Sequence, residues 1–294
     1  MDVRPVSEES DVSAAAPGPG QPALAIEEFE LGPEGGEAGT SRVAVVVTLS
    51  RPARLNAIDW DMLRELDAAI SELSRLPGLC CVLLTGAGRA FSAGGDLKSY
   101  IELQRDPVAF PRFVADIHRV FGRLRELPAP VVALVNGVTA AGGLELLLNC
   151  DFAIVARRAR ISDGHLNFGQ MGGGGVLTLL PRVIGLPRAS ELIFSGRFLT
   201  AEEAVEWGLA IRCVDDEALL ESGMTFARQV ATKSPLALAN AKAVLQGLWA
   251  ANGDLPGALT FEKDRNSEYC LTSEDAPEGL QAFLEKRPPR FRGR

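Results

Sequence analysis

Histidine is nearly absent from this chain: 294 residues carry two, His118 and His165. Cys80, Cys81, Cys150, Cys213 and Cys270 contain no Cys-x-x-Cys pair, so a zinc site would need mostly carboxylates, and no metal site is expected. The thiols, two of them inside the apolar CCVLL, read as reduced and mostly buried. No apolar run approaches the ~18 residues of a membrane helix, and the first residues lack the charged-then-apolar pattern of a signal peptide. The opening MDVRPVSEESDVSAAAPGPGQ is acidic where a mitochondrial transit peptide would be rich in arginine, which favours the cytoplasm. Thirty basic residues are scattered among 38 acidic ones, for a net charge of −8, so the clustered basic footprint of a nucleic-acid binder is missing. Three further motifs fail on spacing. The glycines 172–175 are not followed by Lys-Ser or Lys-Thr, GAGRAF lacks the third glycine of a dinucleotide fingerprint, and no G-x-S-x-G occurs. Small-molecule chemistry without a phosphate loop or a nucleophile elbow remains.

A hydrophobic share of 47% and this length suit a large buried core. Residues 1–22, rich in Ala, Pro, Gly, Ser and acid, read as a disordered extension. ALAIEEFEL and RVAVVVTL read as two strands of a hairpin-like opening across GPEGGEAGTS. Leu63, Leu66, Ile70 and Leu73 mark a helix that Asp59 or Asp61 can cap; Phe110, Phe113, Val114, Ile117, Phe121 and Leu124 mark another. CCVLLTG, VVALVNG and DFAIVA are short apolar strands, and GGLELLLNC is a helix between the last two. Strands and helices thus interleave over 23–215, and 216–294 is helical only. The expectation is an α/β core with a helical C-terminal region. Periodicity leaves a doubly wound sheet and a strand-strand-helix spiral equally open.

Two glycine-rich turns border strand and helix, FSAGGDLK at 91–98 and NGVTAAGGLELLLNCD at 136–151. Glycine lets backbone amides approach a ligand, and a helix opening supplies free amides, so facing turns could hold an oxyanion; they could equally be ordinary tight turns. The wider context resembles the crotonase family, the enoyl-coenzyme A hydratases and isomerases. SRPARLNAI is similar to R-P-x-x-x-N-A, and AFSAGGDLK to F-x-A-G-x-D-[LI]-K. VNGVTAAGGLELLLNCD is similar to N-G-x-x-x-G-G-G-x-E-L-x-x-x-C-D, and APEGLQAFLEKRPPRFRG to the family's closing block. The four blocks stand in family order from about residue 24 to the C-terminus.

The resemblance implies a crotonase-like spiral of strand-strand-helix units, a C-terminal helical trimerisation region, and a homotrimer or a hexamer built as a dimer of trimers. It implies an acyl-coenzyme A substrate, with coenzyme A as part of that substrate and no separate cofactor. Gly95 and Gly142 fall where the family's two oxyanion amides stand. Ala93, Asp96 and Lys98 fall in the coenzyme A-binding turn, and Phe261 and Lys286 at C-terminal positions that meet the nucleotide, sometimes from a neighbouring subunit. Lys98 could equally be a solvated charge and Phe261 helix packing.

Family hydratases use two glutamates twenty residues apart. Glu145 matches the first, and His165 stands where the second would be. Two carboxylates suit hydration because one deprotonates water while the other delivers a proton to carbon. Histidine can take either role near neutral pH. The leading expectation is an enoyl-coenzyme A hydratase-like lyase. The alternatives are an isomerase, a decarboxylase or carbon-carbon hydrolase, and a non-catalytic acyl-coenzyme A binder. An RNA-binding role is disfavoured by the charge. Other readings stay open for the same residues: His165 as a polar support for its loop, Asp163 as a competing acid or a turn former, Glu145 as a first-turn acid, and His118 as structural. The glycines 172–175 align with a family turn before VLTLLPRVIG, where Leu177, Leu180 and Ile184 are expected on one helix face. Met171 and Gly172 depart from the family pattern around its proline.

Overall fold

The structure is a computed structural model that describes residues 22–31, 42–250 and 254–294. The expected extension 1–22, apart from Pro22, and the glycine-rich connection 32–41 lie outside the described residues.

In chain order the first half runs β1 (Leu24–Glu30), β2 (Val43–Leu49), α1 (Trp60–Leu73), β3 (Leu79–Gly86), β4 (Ala90–Ser92), α2 (Leu97–Leu103), α3 (Ala109–Glu126), β5 (Val131–Val135), β6 (Val138–Ala140) and α4 (Gly142–Leu147). The second half runs β7 (Phe152–Ala156), β8 (Arg160–Ser162), α5 (Val176–Ile184), α6 (Leu186–Ser195), β9 (Leu199–Thr200), α7 (Ala201–Glu206), β10 (Arg212–Val214), α8 (Leu219–Ala231), α9 (Pro235–Ala250), α10 (Leu255–Thr272) and α11 (Asp275–Leu284). The strand pairs β3/β4, β5/β6 and β7/β8 repeat one device. The first strand of each pair enters a sheet ordered β1-β2-β3-β5-β7-β10, the second enters a smaller one ordered β4-β6-β8-β9, and a helix follows. This is the spiral of strand-strand-helix units, so the doubly wound alternative is excluded.

The long strands read as unbroken apolar runs because both faces of the large sheet are covered. Alternate residues Val45, Val47, Val82, Leu84, Val131 and Val135 face the cluster that includes α1, α3 and α4, while Val46, Leu83, Val132, Leu134 and Ile154 face α8 through Met224, Ala227 and Val230. Asp59 caps α1 by accepting from the Met62 amide at 2.9 Å, as one of the two expected candidates. On α5 the buried face is Val176, Leu180 and Ile184, a strict i, i+4 row, whereas Leu177 is 41% exposed. The helix begins at Val176, as expected, after Gly175 in the left-handed region at φ 115°; Val176 takes the buried position and Leu177, about 100° further round, lies at the edge of that face. The cysteines are all free; Cys80 and Cys81 are buried, Cys150 and Cys213 are partly buried, and Cys270 on α10 is exposed, so fewer are buried than expected.

Helix α9 is tied to the core by a largely buried ion pair. Lys242 on α9, 7% exposed, meets Asp151 Oδ2 at 2.7 Å and donates to the Leu124 and Ala129 carbonyls at 3.2 and 2.9 Å. Removing one partner of a buried pair strands the other charge. Lys242→Met is therefore expected to cost about 3–5 kcal/mol and roughly 10 °C in Tm, read by thermal melting; a shift under about 2 °C would refute the clamp. Among the described residues no helix is long and apolar enough to cross a membrane.

Candidate active site

The three short parallel strands of the small sheet end side by side, and each hands the chain to a turn that carries functional atoms. β4 leads to Ala93, Gly94 and Gly95; β6 to Ala141 and Gly142; β8 to Asp163 and His165. The first two turns nearly touch. A Cβ added to Gly142 would sit 3.5 Å from Gly94 Cα, and one added to Gly94 would press on Ala141 Cβ and the Ala140 carbonyl. Gly94 also has φ 93°, so both its conformation and its surroundings require glycine.

Among the described residues the amides of Gly95 and Gly142 have no hydrogen-bond acceptor. Gly142 opens α4, where the first amides lack partners by construction. It follows Ala141 at φ 49°, ψ −119°, a strained setting for a residue with a Cβ and one where the matching family block has glycine. Ala141 is held there by its own amide, which donates to the Asp163 carbonyl at 2.9 Å.

Glu145 lies one helical turn along α4, 2% exposed. Its Oε1 accepts from the Gly174 amide at 2.6 Å and, more weakly, from Val176 at 3.4 Å. Burial raises its pKa above the ordinary carboxylate value, and the charge of His165 and those two amides only partly offset this. His165 Nδ1 hydrogen-bonds Asp163 Oδ1 at 2.8 Å. Burial works against its protonation, but the Asp163 bond and the charges of Glu145 and Asp163 outweigh burial, and its pKa is raised. Asp163 is itself 1% exposed and turns its carboxylate to the imidazole. With Nδ1 engaged, Nε2 is left as the ring's reactive nitrogen. A Cβ at Gly172 would lie 3.3 Å from both Glu145 Oε1 and His165 Nδ1, which places the two groups beside one glycine.

These groups line a cavity of about 360 Å³ together with Ala93, Gly95, Gly142, Val114 and Phe198. Its other walls are largely apolar, which strengthens every charge interaction inside. Tyr100 on α2 also borders it and separates it from a groove of about 470 Å³ along α2 and α3. The phenol pKa is raised by burial and then by the Glu145 charge.

Of the residues expected from sequence, Glu145, His165, Gly95, Gly142 and Ala93 meet at this cavity. Asp96 instead caps α2, accepting from the Ser99 amide at 3.0 Å, and borders the neighbouring groove. Lys98 is exposed on α2 outside the cavity lining. Phe261 packs on α9, its ring carbons 3.1 and 3.2 Å from where a Gly247 Cβ would be, and Lys286 is exposed beyond α11; neither lines the cavity of this chain. The sequence reading missed Tyr100, one of only two tyrosines, and the Gly174 amide. His118, read as structural, bonds the Gly173 carbonyl of the glycine loop through its Nε2, a contact the sequence reading did not foresee. Among the described residues no group of three or more His, Cys, Asp or Glu could hold a metal ion.

A sequence profile of the family described as Enoyl-CoA hydratase/isomerase matches residues 39–294. The 1,2-epoxyphenylacetyl-CoA isomerase of Escherichia coli is 36% identical over 255 residues, covering 85% of this chain and 95% of the relative. The short-chain-enoyl-CoA hydratase of Clostridium acetobutylicum is 34% identical over 244 residues, covering 82% and 91%. The crystal structure of an enoyl-CoA hydratase from Bacillus anthracis superposes with a TM-score of 0.82 at 32% identity, over 92% of this chain and all of that one.

Proposed function

Since the chain belongs to the enoyl-coenzyme A hydratase/isomerase family and is an enoyl-coenzyme A hydratase-like enzyme of acyl-coenzyme A thioesters, we propose that Glu145 and His165 divide the acid-base work of hydration. The observation that carries this is the meeting, at one apolar cavity, of a buried carboxylate, a carboxylate-held imidazole and two unengaged amides.

The Glu145 carboxylate takes a proton from water, and the oxygen attacks the β-carbon of the enoyl thioester. The π electrons move to the thioester oxygen, where the Gly95 and Gly142 amides hold the enolate more strongly than the ground state. The enolate then returns its electrons to the α-carbon, which takes a proton from the His165 imidazolium. Glu145 passes its proton on to restore the imidazolium. The raised pKa of Glu145 makes it a stronger base, and Asp163 favours the protonated ring that the second step needs.

Coenzyme A enters as part of the substrate, and the reaction draws on no other cofactor. Ala93, Asp96 and Lys98 are assigned to its binding, with Phe261 and Lys286 as contributions across a subunit boundary. The exposed leucines 245, 248, 255 and 259 of α9 and α10 support self-association as a homotrimer or a dimer of trimers. Cytoplasmic fatty-acid metabolism is the setting this reading favours.

The test is turnover of a panel of enoyl-coenzyme A thioesters in deuterated water, followed by mass spectrometry. Addition of one water with one deuterium at the α-carbon is expected. Deuterium uptake without water addition would replace hydration by isomerisation, the activity in the name of the Escherichia coli relative. No change across the panel would overturn the reading.

The pH profile is expected to be bell-shaped, its acid limb following protonation of Glu145 and its alkaline limb deprotonation of His165, both as apparent values of the pair. Asp163 raises the pKa of His165, so Asp163→Asn lowers it and should pull the alkaline limb of kcat to lower pH. The loss is then larger near pH 8 than near pH 6. An unmoved alkaline limb would remove His165 from the acid role.

A further inference from the structure

Four consecutive glycines give residues 172–175 more backbone freedom than any other stretch of this site, yet one of their amides must stay aimed at Glu145. Two side chains hydrogen-bond to this loop among the described residues. Glu145 accepts from the Gly174 amide, and the His118 ring nitrogen Nε2 donates to the Gly173 carbonyl. Those two atoms belong to the same peptide group. We propose that His118 is a positioning residue for Glu145, acting through the Gly173–Gly174 peptide that the two side chains hold at its opposite ends.

His118 suits this task because of where α3 places it. The helix is anchored in the core by Phe113, Ile117, Val120, Phe121 and Leu124, and its Val114 and Ile117 lie directly against Gly173 and Gly174. His118 follows Ile117 on the exposed flank, so a rigid helix presents a donor to a loop that has no side chains of its own to pack. A carbonyl acceptor requires the proton on Nε2, which fixes the tautomer. Donation to a carbonyl also polarises its peptide and strengthens the N–H at the far end. Losing this contact frees the peptide to rotate, and the buried carboxylate then loses its shortest hydrogen bond.

The inference rests on the catalytic role given to Glu145, and the test separates the two. His118→Leu and His118→Gln are compared with wild type for kcat, KM, melting and the acid limb of the pH profile. For His118→Leu, kcat is expected to fall about tenfold with KM and melting nearly unchanged. The acid limb should move to higher pH, because a carboxylate deprived of a donor protonates more readily. The other titratable groups facing Glu145, His165 and Asp163 beyond β8 and Tyr100 on α2, are unaltered in this variant. His118→Gln supplies an amide donor and should restore most of the lost rate and the original limb. Unchanged kcat in His118→Leu would overturn the proposal. So would equal impairment of both variants with a fall in melting, which marks a purely structural contact. An active Glu145→Gln enzyme would instead overturn the underlying reading of Glu145.

Discussion

Glu145→Gln is expected to lower kcat about 10³-fold, within the ~10²–10⁴ that a positioned general base contributes. The amide oxygen of glutamine can still accept from Gly174, so the glycine loop keeps its partner and KM should change little. Stability should hold or rise. Burial penalises the glutamate anion, and a neutral isostere removes that penalty. The checks are steady-state kinetics on the thioester found active, with thermal melting alongside. Activity within tenfold of wild type would mean that another group deprotonates the water.

Gly142→Pro is expected to cost about 10²–10³ in kcat by deleting one of two oxyanion donors. The position is favourable for the experiment because proline is tolerated at the first residue of a helix, where the amide has no helical partner. The strain falls on Ala141, whose conformation is already unusual. Gly142→Ala is the control: it keeps the amide and brings its Cβ to 3.2 Å from Ile58 Cδ1, a side chain that can yield. An active alanine variant beside an inactive, normally melting proline variant isolates the amide. Near-normal turnover with proline would remove Gly142 from the oxyanion hole.

How much of this could be read beforehand depended on how long a pattern each part needed. The buried strands β3, β5 and β7 announce themselves because five or six apolar residues stand in a row, and α1 and α3 because their apolar residues recur at helical spacing. β4, β6 and β8 are three residues each, too short for any periodicity, and they are the strands that carry the site. Glu145, Gly95 and Gly142 were legible because their chemistry sits within contiguous motifs. His165 was legible by its distance from Glu145, but the sequence alone left Asp163 as a competing acid or a turn former and did not show the hydrogen bond between Asp163 and His165. The His118 contact spans 55 residues and leaves no local trace, since an exposed histidine on a helix flank looks the same whether or not a carbonyl lies opposite. Leu177 misled for a simpler reason: i, i+3 and i, i+4 spacings both suit a helix face, and Val176 rather than Leu177 completes the buried row with Leu180 and Ile184.

The parallel pairing of β4 with β6 and of β6 with β8 also works as a ruler. Neighbouring strands lie about 4.8 Å apart. One oxygen that accepts two hydrogen bonds of about 2.9 Å can span donors no more than about 5.8 Å apart. Groups at the ends of adjacent strands meet that limit, and groups two strands apart, at about 9.6 Å, do not. Gly95 and Gly142 follow adjacent strands, so their amides can lie close enough to share one oxygen, while the main chain at His165 follows the third. The distance between the two glycine turns is thus a matter of rung spacing, fixed by main-chain pairing before any side chain is chosen.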